Sequence, residues 1–151
     1  MGPPEQEGKR LYLIYISMTE LELQQYLLRE YPQENARCEW KEFKNLKNSF
    51  SGDEKNDVIS YVSAIANMEG GELVIGVKDQ TLDIVGTDLS ALTFNGFAAT
   101  PLTATLKLVE QCVNLSSEGL CVEEFITEDT QKTVWIIHIP KHQPRRPVYA
   151  H

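Results

Sequence analysis

The residues with the most legible chemistry are basic. Lys41, Lys44 and Lys47 recur at every third position, and Lys141, Arg145 and Arg146 cluster near the end of the 151-residue chain. A strand-to-loop segment would present the three lysines to phosphates, and the two guanidinium forks match phosphate oxygens in pairs. Ordinary solvated surface charge is the competing reading. Trp40 and Phe43 sit among the lysines and offer either stacking surface for bases or core packing from a short strand. His138 stands alone between Ile137 and Ile139, on the open face of an edge or half-buried strand, and no Ser/His/Asp or Cys/His constellation is legible. Cys38, Cys112 and Cys121 are odd in number and lack metal-ligand spacing, which opposes both a disulfide framework and a zinc site; they read as buried thiols. Gly71 to Gly76 has the glycine spacing of a phosphate-binding loop but lacks the Lys-Ser or Lys-Thr that must follow.

The formal net charge of −8 opposes a protein that coats itself in nucleic acid. Its distribution is uneven. Residues 1–50 carry seven basic and eight acidic groups, 51–139 carry four and fourteen, and 140–151 carry three and none, for net charges of −1, −10 and +3. A polyanion would therefore bind locally if the fold joined the two basic clusters, and be repelled elsewhere. No apolar run approaches the roughly 18 residues of a membrane span. The patch Leu11 to Ile16 behind Lys9 and Arg10 is too short for a signal peptide and lacks a small-residue cleavage site, so the chain reads as cytoplasmic with no membrane partner.

These groups must be positioned by one domain, because 151 residues with 42% hydrophobic content support a single ordinary core. Residues 1–17 read as a leader whose apolar hexamer has no clear partner, 18–139 as the domain, and 140–151 as an extended basic, proline-rich arm leading to a further C-terminal region. Thr19 and Glu22 form a capping box for a helix that runs to about Tyr31, with Leu23, Tyr26 and Leu27 inward and Pro32 as the stop. Cys38 to Phe43 alternates as a short strand. Asp53 can cap a second helix with the apolar stripe Val58, Val62, Ile65 and Ala66, ended by Gly70-Gly71. Leu73 to Val77 suits a strand covered on both faces, with Ile84-Val85 returning beside it after a turn. Pro101 opens a third helix whose stripe reads Leu102, Leu106, Val109 and Val113, and Leu120 to Ile126 with Thr133 to Ile139 makes a hairpin. The sum is an α+β domain, a mixed sheet of about four to six strands packed with about three helices.

Three stretches carry a family resemblance, in the family's order. Glu34-Asn35-Ala36-Arg37-Cys38-Glu39-Trp40-Lys41 is similar to a Glu-x4-Glu-[Phe/Trp]-Lys start. Ser63-Ala64-Ile65-Ala66-Asn67, then Gly70-Gly71, then Leu73-Val74-Ile75-Gly76-Val77-Lys78-Asp79 follow a Ser-Ala-Phe-Ala-Asn, Gly-Gly, Leu-x-Ile-Gly-Val-x-Asp pattern, and Ile84-Val85-Gly86 matches the return. Arg146-Pro147-Val148-Tyr149 resembles the family's arm. The chain resembles the Schlafen/AlbA-type DNA-binding domains. Locally, Asn67 and the glycine pair serve either as scaffold or as a site whose amides meet an anion.

The resemblance implies a nucleic-acid-binding domain of a bacterial-type transcriptional regulator or helicase-related protein, with DNA the expected ligand ahead of RNA. Lys41, Lys44, Lys47, Arg145 and Arg146 would contact phosphates and no cofactor would be required. Some Schlafen-type members are endoribonucleases, and the resemblance carries their three carboxylates onto Glu34, Glu39 and Asp79. As catalytic and metal-holding residues these would bind Mg or Mn, hard ions that suit carboxylates. Against this stands a solvated loop and strand edge, with Asp79 simply opening a turn. A protein-interaction or homodimerisation module is the third class.

Overall fold

The computed structural model describes residues 17–47, 49–52 and 57–151. Local chemistry sets each helix start. α1 (Glu20–Glu30) begins at Thr19, whose hydroxyl accepts from the Glu22 amide while the Glu22 carboxylate accepts from the Thr19 amide. α2 (Val58–Asn67) starts from Asp57; Asp53, the cap expected from sequence, lies outside the described residues. The buried Asp57 carboxylate accepts from the amides of Ser60 and Gly52 and from the Ser51 hydroxyl, so one side chain caps the helix and closes the loop before it. α3 (Pro101–Gln111) opens on its proline, capped by Thr100.

The inward stripe of α3 differs from the expected one. Ala104 and Leu108 are buried, whereas Leu102, Leu106 and Val109 are exposed. An i, i+4 pattern admits two stripes, and the chain beyond the helix chooses between them. Cys112 is buried directly after α3, which puts Leu108 and Ala104, one and two turns earlier, on the core side.

The strands, in chain order, are β1 (Cys38–Lys41), β2 (Gly71–Ile75), β3 (Thr93–Phe94), β4 (Phe97–Ala98), β5 (Cys112–Val113), β6 (Cys121–Ile126), β7 (Thr133–Ile139) and β8 (Tyr149–Ala150). The main sheet has the order β1-β2-β7-β6. β1 and β2 are parallel, as the intervening α2 requires, and the other two pairings are antiparallel. β3 pairs with β4, and β5 with β8. Among the described residues, three helices with a mixed four-stranded sheet make the α+β fold expected from sequence. Ile84 returns to Val77 through a single antiparallel bridge rather than a strand.

Side-chain alternation gives the sheet two covered faces. Leu73, Ile75, Trp135, Ile137 and Ile139 pack with the apolar faces of α2 and α3. Cys38, Trp40, Val74, Val134 and Ile136 pack with Leu23 and Leu27 of α1. Trp40 is therefore core and not stacking surface, and Phe43 is half-buried, edge-on to Tyr61 at 6.2 Å. Of the three cysteines read as buried, Cys38 and Cys112 are, with burial pushing both thiols up to about 11, while Cys121 on the outer strand β6 is exposed.

Gly70 and Gly71 allow the strands to meet. At Gly71, with φ at 149°, a Cβ would sit 1.8 Å from the Arg37 carbonyl oxygen, and at Gly70, with φ at 74°, 2.7 Å from that of Ile139. The Glu72 amide donates to the Arg37 carbonyl at 2.8 Å, which locks β1 against β2. Gly71→Ala is expected to lower stability by about 3 kcal/mol, the combined effect of overpacking and an unfavourable backbone region. A urea midpoint equal to wild type would show that the strands part more easily than this contact implies.

Candidate nucleic-acid interface

Among the described residues β1 is an edge strand, and its outer side carries the first functional group. The Glu34 carboxylate accepts the Trp40 amide at 3.2 Å, satisfying a donor that the sheet leaves open. Glu39, one residue earlier on the same strand, has its carboxyl raised above the ordinary carboxylate range. Burial is the largest cause, followed by the adjoining Glu34 carboxyl; Asp79 adds to the shift and Lys41 opposes it. Glu34 and Glu39 are thus in contact, with Asp79 acting on them at longer range from the turn after β2.

Whether these carboxylates fit a divalent cation follows from the same geometry. Two of them share one place, but the third stands off, and the Lys41 ammonium lies 3.9 Å from Glu39. Among the described residues, no three His, Cys, Asp or Glu side chains are arranged to hold a metal. The three do not form a ready metal cage.

The basic residues are sorted into two groups. Lys41 is half-buried and lies over the Tyr61 ring at 5.0 Å. Burial works against its charge, but Tyr61, Glu39 and Glu34 outweigh it and its pKa is raised. Lys44 is exposed and 3.9 Å from Glu42, and Lys47 is exposed in the following turn. These three lie where β1 and β2 finish. Lys141 lies at the opposite end, where β2 begins and β7 finishes, and pairs with Glu69 at 3.1 Å. Arg145 and Arg146 belong to the same end. The His142 amide donates to the Ala66 carbonyl at 2.8 Å. The Asn67 side-chain amide both donates to the Val148 carbonyl and accepts from its amide, each at 2.7 Å. Gln143 to Arg146 is a turn between these anchors, with Arg145 at a positive φ of 63°. The five residues of β2 at about 3.3 Å each put the two basic groups about 17 Å apart, so the fold does not merge them.

Arg37 is a residue that sequence reading missed. It is exposed, and its carbonyl abuts Gly71 just as the Lys141 amide abuts Gly70. Only the fold joins it to the C-terminal group, since 104 positions separate it from Lys141. His138 is not isolated either: its Nε2 lies 2.5 Å from Glu123 and its Nδ1 3.6 Å from Glu72, on the α1 side of the sheet.

The family model described as Schlafen, AlbA_2 matches residues 34–151. The chain belongs to this family. Membership makes it a nucleic-acid-related domain, and the matched range takes in both basic groups and all three carboxylates. Among solved structures, this Schlafen AlbA_2 domain is similar to the DIP2311 protein from Corynebacterium diphtheriae, at 17% identity and a TM-score of 0.36, over 72% of this chain and 18% of that one. It therefore spans less than a fifth of that chain. No curated protein matches it. Among the described residues, no helix is long and apolar enough to cross a membrane.

The Glu34–Glu39 contact has a pH signature. A carboxyl raised on folding holds its proton more tightly in the folded state, so stability falls as pH rises through the interval above the ordinary carboxylate value. Glu39→Gln removes that loss. The variant is expected to match or exceed wild-type stability near about pH 7, with the advantage shrinking toward about pH 4, where wild-type Glu39 is itself protonated. Urea midpoints across that range check this, and a variant weaker than wild type at neutral pH would mean that the Lys41 pair dominates.

Proposed function

We propose that this Schlafen AlbA_2 domain binds DNA within a longer cytoplasmic regulator or helicase-related protein, taking phosphates at the end of the sheet where Arg37, Lys141, Arg145 and Arg146 gather. One observation carries the reading. Among the described residues, the guanidinium groups of Arg37, Arg145 and Arg146 have no carboxylate partner, whereas Lys41, Lys44 and Lys141 each have one. Exposed Lys47 and Lys78 are likewise without a carboxylate partner among the described residues, but they stand apart from this end, and the planar forks of free arginines suit phosphate better than lysine does. The acidic remainder of the surface limits contact to that end, which favours a defined docking geometry over general coating. Lys44 and Lys47 would be a secondary contact, reached only by a ligand long enough to pass along the sheet.

A second reading is metal-dependent cleavage of RNA through Glu34, Glu39 and Asp79; what favours it is the contact between the Glu34 and Glu39 carboxyls, which adds to burial in raising Glu39 and whose repulsion a bound cation would relieve. Under it, manganese raises the melting temperature of wild type and not of Glu39→Gln, and structured RNA is cut only by wild type.

The DNA reading is tested by titrating labelled duplex and single-stranded DNA and RNA over a range of salt. Affinity for duplex DNA is expected to fall steeply with salt, and Arg145→Ala with Arg146→Ala to lower the log–log slope by about 2, at about 0.9 per phosphate contact. Lys44→Ala with Lys47→Ala is expected to change it little. Absence of binding to any of the probes at low salt, or loss confined to the lysine pair, would sink this assignment.

A further inference from the structure

Gln143, Pro144, Arg145 and Arg146 form a four-residue turn closed by the Arg146 amide, which donates to the Gln143 carbonyl at 3.0 Å. Proline fixes its own φ at about −65°, and Arg145 after it has a φ of 63°. That combination is a type II turn, whose third position favours glycine or asparagine because a larger side chain is crowded there. Arginine occupies it instead. All four residues are exposed. A bulky cation kept where the backbone disfavours it is a local conflict that a function would explain.

The ground on which this turn stands is less favourable to phosphate. α2 and α3 both finish beside the segment: the Ala66 carbonyl accepts the His142 amide at 2.8 Å, and the Gln111 carbonyl accepts the His151 amide at 2.7 Å. Helix carboxyl ends carry partial negative charge. Glu69 brings a full charge, which Lys141 offsets. The helix amino ends lie at the other end of the sheet. The Glu20 amide that opens α1 donates to Asp129 in the β6–β7 turn, and Pro101, which opens α3, lines a cavity with Ile126 and Glu128 at the far end of β6. Among the described residues, positive charge without a carboxylate partner is confined at the arginine end to this turn and Arg37.

Groove dimensions separate two ways in which such a turn can meet a duplex. The major groove, about 12 Å wide, admits a helix or a two-stranded ribbon, and entry there would carry the helix carboxyl ends toward the phosphates of its walls. The minor groove, about 6 Å wide, admits arginine side chains from a turn whose ends lie under about 7 Å apart, and it leaves the acidic body outside. Donor patterns agree. A guanidinium only donates, and an A·T pair shows the minor groove only acceptors, whereas a G·C pair adds an amino donor. A-tracts narrow this groove and deepen its negative potential, which attracts arginine. We infer that the Gln143–Arg146 turn delivers Arg145 and Arg146 into the minor groove of A·T-rich duplex DNA. This rests on the reading that the arginine end of the sheet binds DNA, and it adds the groove and the base composition. The rival is arginine at guanine O6 and N7 in the major groove.

Inosine separates the two. An I·C pair keeps the major-groove pattern of G·C but lacks the minor-groove amino group, so that it resembles A·T there. The full chain is titrated at one salt concentration with duplexes of equal length whose central steps are A·T, I·C or G·C. The A·T and I·C duplexes are expected to bind at least about tenfold more tightly than the G·C duplex. Similar affinity for I·C and G·C, both above A·T, would assign the turn to the major groove, and equal affinity for all three would reduce it to phosphate contact without base preference. Either result overturns the inference and leaves the DNA reading standing, whereas no binding to any duplex removes both. Arg145→Gly is the second measurement. Glycine suits the positive φ, so the urea midpoint is expected to stay close to wild type while the preference for A·T over G·C falls to within about threefold. A folded variant that keeps the full preference would overturn the inference by leaving Arg145 no part in it.

Discussion

The contact between the Gly70–Gly71 pair and the carbonyls of Arg37 and Ile139 is the constraint from which the rest of the sheet follows. It seats β2 between β1 and β7 with no room for a Cβ at either glycine, and it fixes the register Cys38 to Glu72 in one direction and Gly71 to Ile139 in the other. In a pleated sheet a slip of one residue exchanges the faces. The same contact therefore decides that Trp40 is buried under α1 while Glu39 and Lys41 turn toward α2, where Lys41 meets Tyr61. The carboxyl pair and the arginine end are both consequences of that register.

Electrostatically the domain is an acidic body in which about half of the described basic side chains are neutralised where they stand. Lys132 pairs with Glu20 at 3.0 Å, Lys141 with Glu69, and Lys41 with Glu39. The unpaired arginines stand out against that background, since a small residual positive region on a repelling surface concentrates an incoming polyanion in one place. The carboxyls at the β1 edge serve structure in the meantime: Glu34 covers an open amide there, and that use accounts for its position without reference to chemistry on a substrate.

Much of the fold was legible in sequence because it depends on local, directional signals. The Thr19–Glu22 capping box, the proline at the start of α3, the β6–β7 hairpin and the glycine pair before β2 each involve residues close in the chain, and each has its expected role. The misread features depend on distant partners. The phase of α3 follows from where Cys112 is buried, and the exposure of Cys121 from β6 being the outermost strand of the main sheet among the described residues. The candidate site was less legible than the fold. Nothing near Arg37 marks it as a neighbour of Lys141, and the spacing of Lys41, Lys44 and Lys47 suggests one row of charges where the structure buries the first in an ion pair and over an aromatic ring. Asn67, read as either scaffold or anion contact, is engaged on both its amide groups by Val148.

That clamp matters beyond holding the C-terminal segment to the body. The turn bearing Arg145 and Arg146 is pinned on one side by His142 to Ala66 and on the other by Val148 to Asn67, two consecutive residues at the end of one helix. Both anchors use main-chain groups of the segment, so they persist whatever side chains the turn carries. The arginines are presented from a short loop whose ends are already closed. The backbone entropy that a free tail would lose on meeting a phosphate has been given up during folding, so the proposed contact would begin from a preorganised pair of charges.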